Sequence, residues 1–324
     1  CVTILQALMN PIASLVLIRM NGGTAMMRIL GIVGVQICIC VPIIVFQFCK
    51  GKEFFSKEYW GYALRIGIPI VPHYLSGIIL NQGDRIMIDK MVGKTEVALY
   101  GLAYSIGMLV QLFISGMNSA LTPWMYSKIK KGDIRSMRKV LQLLSIVVVG
   151  IAVALMLISP ELVLIFGSPK YREAVYVIPP VAASVFFIFI YNILSMPQFY
   201  YEKTQFLMAA SMAAAGANVV LNFIFIRLFG YIAAGYTTLA CYMLYSVGHY
   251  IVSKQILVNE GIQENLMNPG FLLACSVFLI GASIICNLIF PYRILRYAIL
   301  LASAGLVFWK KELLLKTMAD IRKK

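Results

Sequence analysis

The stretch Arg65–Gly93, RIGIPIVPHYLSGIILNQGDRIMIDKMVG, decides how the chain is read. From Ile66 to Leu80 it is almost unbroken apolar sequence, as a membrane helix requires. Yet it carries His73, Asn81, Gln82, Asp84, Arg85 and Asp89. An ionised side chain near the bilayer centre costs about 2.5–3.5 kcal/mol, so such residues persist where they face protein or a water-filled path. Function is therefore sought on this helix first. Positions 73, 77, 81 and 84 are spaced by four, four and three. His73, Gly77, Asn81 and Asp84 then share roughly one face, with Arg85 to one side. Leu64, Ile68, Leu75, Ile79 and Ile86 make the opposite, apolar side. The polar stripe is expected to line a cavity; if the span sits a turn lower, Asp84 and Arg85 become rim residues in contact with water.

Composition agrees with a membrane setting. Of 324 residues 61% are hydrophobic and only 13% charged, where soluble domains carry about a quarter charged residues. The fold class expected is an all-α polytopic membrane protein with about ten transmembrane helices, at 1–20, 26–49, 61–91, 97–120, 137–166, 174–200, 204–226, 231–253, 269–290 and 295–309. Pro69 and Pro72 are expected to bend the third. The net charge of +15 does not imply nucleic acid, because Lys and Arg fall mainly in loops and tail, where they set orientation and meet anionic membrane lipids. Alternating the loops puts KIKKGDIRSMRK (Lys128–Lys139) and the basic C-terminal tail on the richer side, which should be cytoplasmic. The expected location is the inner (cytoplasmic) membrane. The chain opens on Cys1 inside an apolar run, without a basic n-region or cleavage site, so a signal peptide is not expected and further sequence upstream is.

Other motifs carry less. Gly93-Lys94-Thr95 would end a phosphate loop only with glycine where Ile88 stands, and Ser136-Met137-Arg138-Lys139 lacks the companion motifs of S-x-x-K enzymes. His73 and His249 lie in different spans, and no His, Cys, Asp or Glu cluster has ligand spacing, so neither a metal, a cofactor nor a catalytic triad is expected. Cys1, Cys38, Cys40, Cys49, Cys241, Cys275 and Cys286 read as free, buried thiols. Arg65 is a candidate cation for a phosphate or an orientation signal. Asn218 and Asn222 form an i, i+4 pair that could bond between helices or touch substrate.

Three stretches resemble the polysaccharide flippase family of the multidrug/oligosaccharidyl-lipid/polysaccharide exporter superfamily. They are Ile68–Tyr126, where Asp84, Arg85, Gly93, Tyr100 and Ala103 carry the motif; Ser159–Pro180; and Asn218–Thr238. Arg227 stands where the family usually has proline. The resemblance implies a two-lobe bundle: 1–53 as the last two helices of the N-terminal lobe, 54–253 as a six-helix C-terminal lobe, and 254–324 as two added helices with a cytoplasmic tail. The chain would then begin at the fifth helix. It further implies a transporter flipping an undecaprenyl-diphosphate-linked oligosaccharide for surface polysaccharide synthesis. Partners would be a polysaccharide polymerase and chain-length machinery, with H+ or Na+ as coupling ion. Arg65, His73, Asn81, Asp84, Arg85, Asn218 and Asn222 are the candidate cavity residues. An ion-coupled multidrug exporter is the alternative, and a membrane polymerase or acyltransferase a more distant one, since the outer loops are short.

Overall fold

A computed structural model describes residues 2–20, 24–52 and 55–309. Cys1, Asn21-Gly22-Gly23, Glu53-Phe54 and the basic tail from 310 lie outside them. Among the described residues the secondary structure is helical: α1 Val2–Met20, α2 Ala25–Gly51, α3 Lys57–Met91, α4 Lys94–Gly107, α5 Leu109–Lys130, α6 Ile134–Phe166, α7 Ile178–Tyr200, α8 Thr204–Phe229, α9 Ala233–Asn259, α10 Pro269–Ile289 and α11 Arg293–Trp309. Seven stretches are long and apolar enough to cross a membrane: α2, α3, α4 with α5, α6, α7 with the segment before it, α8 and α10. This is an all-α polytopic membrane protein.

The expected count of ten is three more than the seven found among the described residues. α1 and α11 border residues outside the described ones, and their described apolar parts are shorter than a span. α9 is long but carries Tyr242, Tyr245, Ser246, His249 and Ser253 on buried faces, which dilutes its hydropathy. Two further boundaries differ from expectation. The span expected at 97–120 is two helices separated at Met108, where Gly107 lies against α7: a Cβ there would come within 2.7 Å of Val181. The span expected from 174 begins with a 3-10 segment, Pro169–Val177, because Pro179 and Pro180 supply no backbone N–H groups to the first turn of α7.

The chain divides into two compact units, Cys1–Arg65 and Ile66–Lys324. In the first, α1 and α2 pack antiparallel, with Gln6 facing Cys40 and Ser14 facing Arg28 and Gly31. Gly31 permits this approach, since a Cβ would stand 2.7 Å from the Ser14 Cα. Gly31→Ala is expected to lower stability by about 1–3 kcal/mol, the range for overpacking, measurable as a reduced unfolding temperature in detergent. Cys38 and Cys49 on α2 are exposed, not buried as expected; Cys241 and Cys286 are buried.

The second unit is built around α7, whose residues Ile178–Ile190 are all buried. Helices α4, α5, α6, α8, α9 and α10 surround it, and α9 lies along its length. A bidentate ion pair fastens α11 to α6: Arg296 donates from Nη1 and Nη2 to the two Glu161 oxygens at 2.8 Å, and from Nη1 to the Leu157 carbonyl at 2.7 Å. At the opposite end the basic loop is folded. Gly132 takes a left-handed φ of 68°, and Asp133 caps α6 while pairing with Lys128 at 2.6 Å. Lys130, Lys131, Arg135 and Lys139 remain exposed.

Candidate functional site

α3 runs unbroken through Pro69 and Pro72 for 35 residues. That is about 52 Å at 1.5 Å per residue, well beyond a hydrocarbon core of about 30 Å. Two adjacent stripes divide its work. Ser76, Leu80, Asp84 and Ile88, spaced by four, are the buried stripe. His73, Gly77, Asn81 and Arg85, also spaced by four, line a cavity of about 770 Å3 that lies within the second unit. Ile68, Leu75, Ile79 and Ile86 are exposed on the far side.

The buried stripe is held by polar contacts. Asp84, with no exposed surface, accepts three hydrogen bonds: from Tyr100 Oη in α4 at 2.5 Å, Asn222 Nδ2 in α8 at 2.6 Å and Thr238 Oγ1 in α9 at 2.6 Å. Asn222 Nδ2 also donates to Asn218 Oδ1 at 3.1 Å, and Thr237 Oγ1 donates to Asn222 Oδ1. Gly230, at φ 75°, makes the turn that returns α9 beside α8 and so brings Asn222 and Thr237 together. No cation among the described residues pairs with Asp84. One carboxylate therefore ties α3 to three other helices.

The cavity wall has a different chemistry. Asn81 Oδ1 accepts from Tyr104 Oη at 2.8 Å and Tyr242 Oη at 3.2 Å, and His73 Nδ1 pairs with Tyr245 Oη at 3.1 Å. The Arg85 guanidinium lies 5.4 Å from the centre of the Tyr104 ring, within cation–π range, and its buried Nε has no hydrogen-bond partner. Tyr74, Tyr191, Gln82, Asn192, Ser105 and Ser195 also line the space. The wall thus presents aromatic faces, hydroxyls, amides, one histidine and one arginine. No carboxylate is among the lining residues.

The candidates taken from the sequence therefore separate. His73, Asn81 and Arg85 meet at the cavity. Asp84, Asn218 and Asn222 form the buried cluster and are not lining residues, because position 84 falls on the inward stripe, about a sixth of a turn from 81 and a little over a quarter from 85. Arg65 is exposed and ends the first unit. The tyrosines of α7 and α9 were missed. Their signal was available, since Thr238, Tyr242, Tyr245, His249 and Ser253 recur at four, three, four and four.

Among the described residues no group of three or more His, Cys, Asp or Glu could hold a metal ion. In the Asp84 cluster all the carboxylate contacts found are donors, from Tyr100, Asn222 and Thr238.

A family model described as "Polysaccharide biosynthesis protein" matches residues 1–130, and one described as MatE matches residues 69–224. Two Haemophilus influenzae proteins are similar: "Lsg locus putative protein 1", 28% identical over 50% of this chain and 41% of the relative, and an "Uncharacterized membrane protein", 29% identical over 48% and 40%. The matches point to the multidrug/oligosaccharidyl-lipid/polysaccharide exporter superfamily. The aligned stretch spans about two-fifths of each of these relatives. No solved structure matches significantly. The MatE match begins at Pro69, close to where the second unit begins, and takes in Asp84, Tyr100 and Asn222 but not Thr237 or Thr238.

Proposed function

We propose that the chain is part of a flippase carrying an undecaprenyl-diphosphate-linked oligosaccharide across the cytoplasmic membrane for surface polysaccharide synthesis. One observation carries this reading: Arg85, with an unpartnered buried Nε, lies in a cavity walled by tyrosines and amides. Sugar rings stack on aromatic faces and exchange hydrogen bonds with amides and hydroxyls, while a guanidinium suits a phosphate oxygen. A diphosphate sugar cannot cross about 30 Å of hydrocarbon without such a path. Counting α1, α9 and α11 as spans gives the ten helices of the two-lobe scheme, with the basic loop inside. Asp84, held by Asn222 and Thr238, is the coupling carboxylate for H+ or Na+. A polymerase and chain-length machinery would take the product.

The drug-exporter alternative shares the superfamily, and the aromatic wall would suit flat cations. Against it, the lining carries Arg85 and no carboxylate, which repels a cationic substrate. Cationic-dye efflux by the full-length protein is accordingly expected to be absent.

Arg85→Ala, made in the full-length protein and expressed in a strain without its own flippase, is expected to reduce surface polysaccharide at least about tenfold, the loss of one charge-assisted contact. Wild-type export by that variant at equal protein level would remove Arg85 from the substrate path.

A further inference from the structure

α9 and α10 both pack on α7, and an apolar crevice of about 260 Å3 lies between them. Phe186, Phe187 and Ile190 of α7, all buried, make its floor. Its walls are Met243 and Val247 on α9 and Leu272 and Leu273 on α10. The cavity lined by Arg85 also uses α7 and α9, yet the two spaces have no described residue in common. The hydroxyls inside the crevice are already engaged. Ser246 Oγ shares its proton between the Phe187 and Tyr242 carbonyls, both at 2.9 Å, and Ser276 Oγ donates to the Leu272 carbonyl at 2.8 Å. The space therefore suits hydrocarbon better than a sugar. Val247 and Leu273 at its rim are 55% and 66% exposed, so in a membrane it opens to lipid.

The two ends of the crevice differ. At the far end Asn287 Nδ2 of α10 donates to Tyr236 Oη of α9 at 2.7 Å, which joins the two helices. At the end toward the basic loop, Tyr250 and Pro269 line the mouth. Met243, Val247, Tyr250 and Lys254 are spaced by four, three and four, one stripe of α9. Exposed Lys254 thus continues the wall one turn beyond Tyr250. Arg138 of α6 acts electrostatically on Tyr250, and its Nε donates to the Asn265 carbonyl at 2.7 Å, just before α10 begins. Arg138 Nη2 also stands 3.8 Å from Glu264. In residues 135–139 and 254–268 the cations Arg135, Arg138, Lys139 and Lys254 outnumber the carboxylates Glu260 and Glu264.

We propose that this crevice binds one anionic phospholipid of the leaflet on the basic-loop side. An acyl chain lies between α9 and α10, and the phosphate meets Lys254 and Arg138 at the mouth. Burial of the chain on apolar side chains supplies attraction for any lipid. The cations add the preference for a negative headgroup, since basic groups at a membrane surface attract acidic lipids. The site goes beyond the flippase reading and does not rest on it, because none of its residues touches the cavity.

The test uses detergent-purified full-length protein and native mass spectrometry, with phosphatidylglycerol and phosphatidylcholine of identical chains as probes. One phosphatidylglycerol is expected to be retained in preference to phosphatidylcholine. Lys254→Ala should lower the affinity for phosphatidylglycerol about fivefold and leave that for phosphatidylcholine unchanged. Val247→Trp, which narrows the crevice at its rim, should lower both. Both positions are exposed, so unfolding temperatures should match wild type. Equal affinity for the two headgroups in wild type would overturn the proposal, as would unchanged phosphatidylglycerol binding in either variant. Displacement of the phospholipid by an equal concentration of undecaprenyl phosphate would also overturn it and assign the crevice to the lipid carrier. None of these readouts depends on transport.

Discussion

Replacing Asp84 with alanine is expected to destabilise the second unit by about 3 kcal/mol or more and to abolish export. The carboxylate accepts from Tyr100, Asn222 and Thr238. Its removal leaves three buried donors on three helices without an acceptor, at about 1–3 kcal/mol each before relaxation. Leu80 and Ile88 still bury against the core in the variant, but alanine offers the three donors no acceptor. Asp84→Asn keeps the shape and one acceptor oxygen but turns an NH2 group toward donors, so it should fall between wild type and alanine. Thermal unfolding of the purified full-length variants reads the order. An alanine variant as stable as wild type would mean that α3 is held by something other than this cluster.

The second large effect is expected at the pair that docks α11. Glu161→Ala leaves Arg296, 3% exposed, with only the Leu157 carbonyl and no counter-charge. Breaking one side of a buried ion pair costs about 3–5 kcal/mol, because the other charge stays desolvated. Tyr297 Oη, which also donates to Glu161, loses its acceptor as well. The double replacement Glu161→Leu with Arg296→Met removes both charges and should recover much of the loss. Protease cleavage between α10 and α11, near Pro291, is the measurement: fast in Glu161→Ala, slow in wild type and in the double variant. Equal cleavage in all three would show that the pair does not hold α11.

Much of this was legible in the sequence because hydropathy in a membrane protein is set by lipid, and lipid-facing runs are long. The polar helix was found from its six polar residues among apolar ones. Register was harder. Spacing grouped Asp84 with His73, Gly77 and Asn81, whereas packing assigns 76, 80, 84 and 88 to the bundle and gives 73, 77, 81 and 85 to the cavity. A turn of 3.6 residues puts position 84 between the two stripes, and only its partners decide. Those partners lie 138 and 154 residues away, in Asn222 and Thr238, and no local rule links them. The break at Met108 was equally hidden, since it follows from the approach of Gly107 to Val181 rather than from a proline. The histidines were read as unrelated because they stand in separate spans. Tyr245 lies between them, bonded to one ring and packed on the other.

The proposed substrate path rests on one cation in one cavity, and binding tests it without the rest of the transport cycle. Full-length protein in nanodiscs should bind undecaprenyl-diphosphate-linked oligosaccharide saturably. Arg85→Ala should weaken that binding by about tenfold or more, near 1.4 kcal/mol, while leaving the unfolding temperature unchanged. Equal affinity in wild type and variant would contradict the account and place the lipid-linked sugar elsewhere.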